Sequence, residues 1–293
     1  MNLFAAVLIY LGYILIFPGF VFSGLAGLLL LKVVHTLRQV ICSDNTATIQ
    51  PFNDFFLICR DRDWLLNKEE KERAILPAIG FAVLAVVQLC FPVCGFIAFP
   101  GVADAAVIMF ALFVPAAAEV FGSPKEKDTD AMPFLRIIPV AVVFFTVCRE
   151  VGNITGEGFS FDLETVSGVQ VSAGSLIMRP AMFPAAMAML LAIASETADL
   201  TDGRNPFAVL MHGEKLLVLS GMFVALFLGG IGFGIMTADM LIYFVMCVFL
   251  TAVTAAAGAL ILKKLNTKRL QLYGTAVITG FAAVSFVFSW MGL

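Results

Sequence analysis

The placement of the basic residues between long apolar segments constrains this chain more than any other feature. Apolar stretches lie near 4–31, 75–98, 102–121, 134–151, 174–198, 216–235, 239–262 and 272–292. Apart from Arg149 and Arg179, all of the 18 Lys and Arg residues fall in or beside the alternate gaps, 32–74, 122–133, 199–215 and 263–271. Membrane insertion retains Lys and Arg on the cytoplasmic face. The pattern therefore predicts that these gaps are cytoplasmic and that both termini lie on the outer side.

The composition agrees with a chain that lies mostly in lipid. Hydrophobic residues make up 61% of it and charged residues 13%, which is far from the composition of a soluble domain. A spanning helix needs about 20 apolar residues, and lipid leaves no water for unpaired backbone groups, which favours helices. We predict an all-α, multi-pass protein of the plasma membrane, with about eight transmembrane helices in a single domain, 1–293. The net charge of −3 does not indicate nucleic-acid binding.

The first long gap contains a short amphipathic segment. The sequence IQPFNDFFLIC at 49–59 combines phenylalanines with polar Gln50, Asn53 and Asp54. Pro51 stands where a helix would begin, because proline is well tolerated in a first helical turn. This pattern predicts a surface helix after the first span, lying along the membrane.

Charged side chains inside predicted spans are the candidates for function, because they are costly there and usually face a cavity or a partner. Glu119 and Glu196 lie at the cytoplasmic ends of spans three and five, each followed by a polar loop. Desolvated carboxylates at such sites can exchange protons with the cytoplasm. The full set of candidates for a proton or ion path is Glu196, Glu119, Glu150, Arg149, Asp199 and Asp104.

Other interpretations remain open for several of these charges. Arg149 next to Glu150 is either a local charge pair or a step in a path toward the outer face. For Asp104, Arg179 and Asp239 the favoured interpretation is an anchor at the membrane interface, where snorkelling lowers the cost of a charge.

The sequence carries no pattern that indicates a metal or a cofactor in this chain. The six cysteines show no metal-ligand spacing, and the two histidines, His35 and His212, are separated by most of the sequence. No iron–sulfur or haem motif is present, so we expect any redox centre to belong to a partner protein.

In three stretches, IQPFND at 49–54, SETADLTDGRNPF at 195–207 and LSGMFVALF at 219–227, the sequence resembles the membrane protein family shared by complex I (NADH-quinone oxidoreductase) and the energy-converting NiFe-hydrogenases (formate hydrogenlyase subunit 4). IQPFND at 49–54 is similar to the family's LLQP-x-AD run. SETADLTDGRNPF at 195–207 is similar to its glutamate-to-PF loop, and LSGMFVALF at 219–227 to its EYSGMRFALF run. The chain departs from the family at Val218, which replaces the glutamate before YSG, and it lacks the R-x-GPN element and the acidic motif of span four. These departures favour a hydrogenase-type or more divergent member over a true complex I subunit.

The resemblance implies a membrane subunit without catalytic residues of its own, beside partners that carry the redox chemistry. Those partners would be hydrogenase-like or complex I-like peripheral subunits with iron–sulfur clusters, together with antiporter-like membrane subunits. A hydrogenase-like partner would also carry a NiFe centre. Quinone binding is doubtful, because the charges that line the family's quinone site are missing. The residues implied in docking the peripheral arm are Gln50, Pro51, Asp54, Arg60, Arg204, Pro206, Phe207 and His212.

Three functions fit the sequence. The first is an anchor and coupling subunit that links a cytoplasmic electron-transfer arm to proton or sodium translocation. The second is a stand-alone secondary transporter or permease, which kinked helices and charges inside spans would suit. The third is a membrane scaffold without transport, in which every intramembrane carboxylate can be neutralised without loss of function.

Overall fold

The computed structural model is all-helical over the part of the chain that it describes. That part comprises residues 8, 11, 12, 15, 20–42, 51–61, 68–89, 105–122, 132–198, 205–229, 236–262 and 267–292. Within these residues, the ten α-helices with defined bounds are α1 Phe20–Cys42, α2 Pro51–Asp61, α3 Lys68–Leu89, α4 Ala105–Gly122, α5 Met132–Thr155, α6 Leu163–Ala173, α7 Met182–Ala198, α8 Pro206–Phe227, α9 Met236–Leu262 and α10 Thr267–Met291. A short 3-10 helix, Leu176–Met178, precedes α7. The predicted all-α class is therefore confirmed.

Four of the described helices are long and apolar enough to cross a membrane: Phe20–Cys42, Pro206–Phe227, Leu241–Ile261 and Tyr273–Met291. Two shorter apolar helices, Ala106–Phe121 and Met182–Thr197, accompany them. The length and hydropathy of these helices are those of a membrane protein. The predicted number of eight spans is not confirmed. The outward placement of the termini remains a prediction.

Two predicted span boundaries differ from the structure by ten residues or more. The first described long helix runs from Phe20 to Cys42, although the apolar segment predicts an end near residue 31. Helix α8 begins at Pro206, ten residues before the predicted start of that span. Its N-cap is Asn205, whose Oδ1 accepts a hydrogen bond from the backbone N–H of Phe207 at 2.9 Å, and proline occupies the first helical position.

The predicted amphipathic helix is confirmed as α2, which starts at Pro51. Phe55 packs against the core, whereas Phe56 and Leu57 are exposed. The helix packs on α1 and α8. The described side chains of α2 thus lie on two faces, one against the bundle and one exposed.

Helix α8 is the centre of the bundle. Nearly all of its side chains are buried, and α1, α3, α7 and α9 pack around it. Its backbone comes very close to that of α1: a Cβ built on Gly27 would lie 2.6 Å from the backbone carbon of Gly213, and one built on Gly213 would lie 2.7 Å from that of Gly27. Only glycine permits this approach, which is the small-residue packing typical of membrane helices.

Helices α5, α7 and α10 form the other side of the bundle, and α4 joins it to α3. Prolines lie inside three helices, Pro77 in α3, Pro115 in α4 and Pro139 in α5. Side chains from the ends of α4, α5 and α7 that the basic residues predict to be cytoplasmic gather near Lys215, in the middle of α8.

Candidate functional site: a buried ionic cluster around Lys215

Four charged side chains from four helices meet where those helix ends reach α8. We call Glu119 of α4, Arg136 of α5, Glu196 of α7 and Lys215 of α8 the Lys215 cluster. The Lys215 Nζ lies 2.9 Å from Glu119 Oε1 and 2.9 Å from Glu196 Oε2. Arg136 Nη1 lies 3.5 Å from Glu196 Oε1. One ammonium thus links two carboxylates, and a guanidinium supports one of them.

The cluster is buried. The side chains of Arg136, Lys215 and Glu196 are each 4% exposed, and that of Glu119 is 16% exposed. Two acidic and two basic groups balance, so the cluster carries no net formal charge. Placing charges in a low-dielectric interior is costly unless they are paired. The packing of the surrounding helices therefore depends on these pairs staying intact.

A small cavity opens at the cluster. Its volume is about 20 Å³, enough to admit one water molecule. Arg136, Glu196 and Lys215 give it a polar end, and the remaining lining residues are apolar: Leu112, Ile137, Val140, Ala192 and Leu219. The cavity is thus large enough to hold one water molecule beside the charged groups.

The cluster is unsuited to a resident metal ion. Glu119, Glu196 and His212 each place one ligand-type atom within 4.8 Å of the others. However, the Lys215 ammonium already lies between the two carboxylates, and Arg136 adds a second positive charge. The two carboxylates are already neutralised by these cations, so no negative charge is left to compensate a divalent metal ion. We therefore assign these residues to an ionic cluster.

A second charged group lies at the other end of α5. We call Arg149, Glu150 and Arg179 the Arg179 group. Arg179 Nη1 donates a hydrogen bond to Glu150 Oε1 at 2.9 Å, with side chains 38% and 9% exposed. Arg149 lies with its guanidinium carbon 3.7 Å from the centre of the Trp290 ring, and its Nε donates to the Ser289 carbonyl at 3.4 Å. Of the two interpretations left open for Arg149 and Glu150, the local charge pair is not what the described side chains form, because Glu150 pairs with Arg179.

The two charged groups are separated by packed apolar surface. Arg136 and Glu150 are 14 residues apart on α5, about 21 Å along a helix. Between them α5 buries Val140, Val143, Phe144 and Val147. Thr146 is also buried there, but its hydroxyl donates to the carbonyl of Val142 in the preceding turn. On these described residues of α5, no chain of polar groups joins the two ends.

The structure places the remaining candidate residues as follows. Pro206 and Phe207 form the first turn of α8, and His212 is buried beside the Lys215 cluster. Pro51 starts α2, Asp54 lies on it, and Arg60 is exposed in its last turn. The others, Gln50, Asp104, Asp199 and Arg204, lie outside the described residues.

Two members of the cluster are not singled out by the sequence pattern. Arg136 and Lys215 stand there only as basic residues at the edges of cytoplasmic gaps. The signal that could have found Lys215 is Asn205–Pro206, a helix N-cap followed by proline, which starts α8 early enough to bring Lys215 into the bundle.

The fold defines an all-helical membrane protein with a buried ionic cluster, and a solved structure shares that fold. It is a chain in the structure of the membrane-bound sulfane sulfur reductase, described as an archaeal respiratory membrane complex. The TM-score is 0.70 at 13% sequence identity, and the match covers 98% of this chain and 98% of that chain. No protein-family model matches the sequence, and no curated protein matches it either.

Proposed function

We propose that this chain is a membrane subunit of a redox-driven, ion-translocating complex, and that the Lys215 cluster couples the two activities. The fold neighbour belongs to a respiratory membrane complex, and the resemblance of three sequence stretches to the complex I and hydrogenase family points the same way. The chain would anchor an electron-transfer arm through α2 and the start of α8, using exposed residues such as Phe56, Leu57 and Arg60.

The observation that carries the coupling role is the sharing of one ammonium by two carboxylates. If Glu119 or Glu196 takes up a proton, its attraction to Lys215 weakens and the ammonium shifts toward the other carboxylate. A redox event at the cytoplasmic side that changes the local charge would therefore reset the cluster. This is a coupling free energy between two sites, expressed as a change in charge pairing.

The direction of coupling follows from the apolar surface of α5. Because the described part of that helix offers no polar route from the Lys215 cluster to the Arg179 group, we propose that the cluster does not pass protons along α5. The cluster would then bias ion movement in neighbouring membrane subunits through its charge, and the Arg179 group would serve the packing of the bundle.

The first test is co-purification of the tagged full-length chain in mild detergent, followed by mass spectrometry and iron analysis. We expect iron–sulfur redox subunits and further multi-pass membrane subunits to accompany it. Recovery of the chain alone or as a homo-oligomer would overturn the proposal. Transport by the isolated chain in liposomes would then establish the alternative, a secondary transporter.

The second test uses the purified complex in liposomes, with the electron donor that its redox subunits oxidise. Glu196→Gln keeps the shape of the side chain but removes its charge, so we expect electron transfer to continue while the ratio of ions moved per electron falls at least tenfold. Glu150→Gln, a buried carboxylate at the other end of α5, is the matched control and should keep the wild-type ratio. An unchanged ratio in Glu196→Gln would remove Glu196 from the mechanism.

A further inference from the structure

Helix α8 contains a second buried carboxyl group that the Lys215 cluster does not use. Glu214 is 0% exposed, and neither of its carboxyl oxygens has a hydrogen-bond partner among the described residues. Consecutive residues of a helix point about 100° apart. Lys215 therefore reaches Glu119 and Glu196, whereas Glu214 occupies a different face of α8.

That face is the one that meets α1. The contact between Gly27 and Gly213 brings the two backbones together, and a Cβ on Gly27 would also lie 2.8 Å from the backbone nitrogen of Glu214. Ser23, one turn earlier on α1, is the polar neighbour of the carboxyl group. Its hydroxyl is buried and donates to the carbonyl of Phe20 at 3.5 Å, outside hydrogen-bonding geometry with Glu214.

The cations of this region are engaged elsewhere. The Lys215 ammonium lies between Glu119 and Glu196, and Arg136 faces Glu196. The His212 ring lies on the side of the cluster, near the same two carboxylates. The described side chains thus offer Glu214 no ion pair, although it lies one residue from a lysine.

We propose that Glu214 holds a proton and exchanges it with the carboxylates of the Lys215 cluster, as a second proton site of the coupling device. A fully buried carboxyl group without a cation or hydrogen-bond donor is stabilised as the neutral acid, because an unpaired charge is strongly disfavoured in the interior. The proposal rests on the proposed function, since it gives that proton a role in coupling.

The exchange conserves charge. The proton leaves the Glu214 carboxyl and joins Glu196, so one anion is created as another disappears. Protonation of Glu196 at the same time frees part of the Lys215 positive charge. The cluster then carries one net positive charge, and the field of that charge stabilises the Glu214 anion from the neighbouring face of α8 without an ion pair. The protonation state of Glu196 thus controls whether Glu214 keeps its proton.

Infrared spectroscopy of the purified full-length chain tests whether Glu214 is protonated. We expect a carbonyl band of a protonated carboxyl group at neutral pH that shifts in heavy water and is absent in Glu214→Gln. Glu164→Gln, at an exposed position of α6, is the matched control and should keep the band. A Glu214→Gln spectrum identical to that of the wild type would overturn the proposal. If Glu214→Gln fails to fold, Glu214→Asp is used, and the band should move instead of disappearing.

Ion pumping by the complex in liposomes tests the exchange. Glu214→Gln is neutral and nearly the same shape, so a merely structural role would leave the ratio of ions per electron unchanged. We expect at least a tenfold fall and partial recovery in Glu214→Asp, and a wild-type ratio in Glu214→Gln would overturn the exchange. The two proposals can fail separately: normal pumping in Glu196→Gln counts against the proposed function, while the infrared band still reports on Glu214.

Discussion

The Lys215 cluster and the Arg179 group lie at opposite ends of α5, and they compensate their charged side chains in different ways. In the Lys215 cluster the lysine is 4% exposed and is shared by two carboxylates. In the Arg179 group the arginine is 38% exposed and serves one carboxylate, while Arg149 stacks on Trp290. Solvent or lipid headgroups can replace a lost partner in the second group but not in the first. A buried charge whose partner cannot be replaced by solvent is sensitive to any change in the charges around it.

Removing the shared cation should have the largest effect. Lys215→Met leaves two carboxylates buried at short range without their ammonium, and we expect a loss of about 3–5 kcal/mol in the free energy of unfolding. Coupling should be lost as well. Thermal denaturation of the detergent-purified chain measures the stability, and a change below about 1 kcal/mol would contradict the assigned burial.

Neutralising the more exposed carboxylate of the same cluster should cost less. Glu119→Gln loses its charged hydrogen bond to Lys215, worth about 1.5–3 kcal/mol, but Glu196 still neutralises the ammonium. We expect a lower ratio of ions per electron than in the wild type, and a higher one than in Glu196→Gln. The reverse order of the two variants would show that Glu119 is the main partner of Lys215.

The matched change in the other group should be smaller again. Arg179→Met removes a cation as Lys215→Met does, but from a pair that is partly open, so we expect at most about 1 kcal/mol. Coupling should remain at the wild-type level. If Arg179→Met and Lys215→Met destabilised the chain equally, the difference between the two groups would not exist.

The smallest effect is expected at the stacked arginine. Arg149→Lys keeps the charge but loses the planar contact with Trp290, which is worth about 0.5 kcal/mol at such a site. Thermal denaturation of Arg149→Lys, Trp290→Leu and the double variant checks this. If the two side chains stack, the double variant should lose little more free energy of unfolding than the less stable single variant.

The sequence predicted the class of the fold and half of the cluster, for identifiable reasons. The apolar segments indicated membrane helices, and a carboxylate at the end of a span is visible as an interruption of such a segment, so Glu119 and Glu196 were found. Lys215 and Glu214 were missed because hydropathy placed the start of their helix at residue 216, whereas the cap at Asn205 sets it at 206. Arg136 was missed because a basic residue near a helix end is already accounted for by the retention of Lys and Arg on the cytoplasmic face of the membrane.

The pairing of the charges could not be predicted from spacing. Arg149 and Glu150 are neighbours in the sequence, but consecutive residues of a helix point in different directions, and Arg179 reaches Glu150 from 29 residues away. Which helix ends meet depends on how the bundle packs. That depends on contacts such as Gly27 with Gly213, which have no distinct signal in a single sequence with 24 glycines.

The Gly27–Gly213 contact also limits how this protein can evolve. At an ordinary contact a larger residue on one helix can be accommodated by a smaller one on the other, so the two positions can drift together. Here both residues are already the smallest possible, and a methyl group on either would meet the opposite backbone at under 3 Å. Neither position can compensate for the other. We therefore expect homologues that keep this helix crossing to retain both glycines, even where most of the surrounding sequence has diverged.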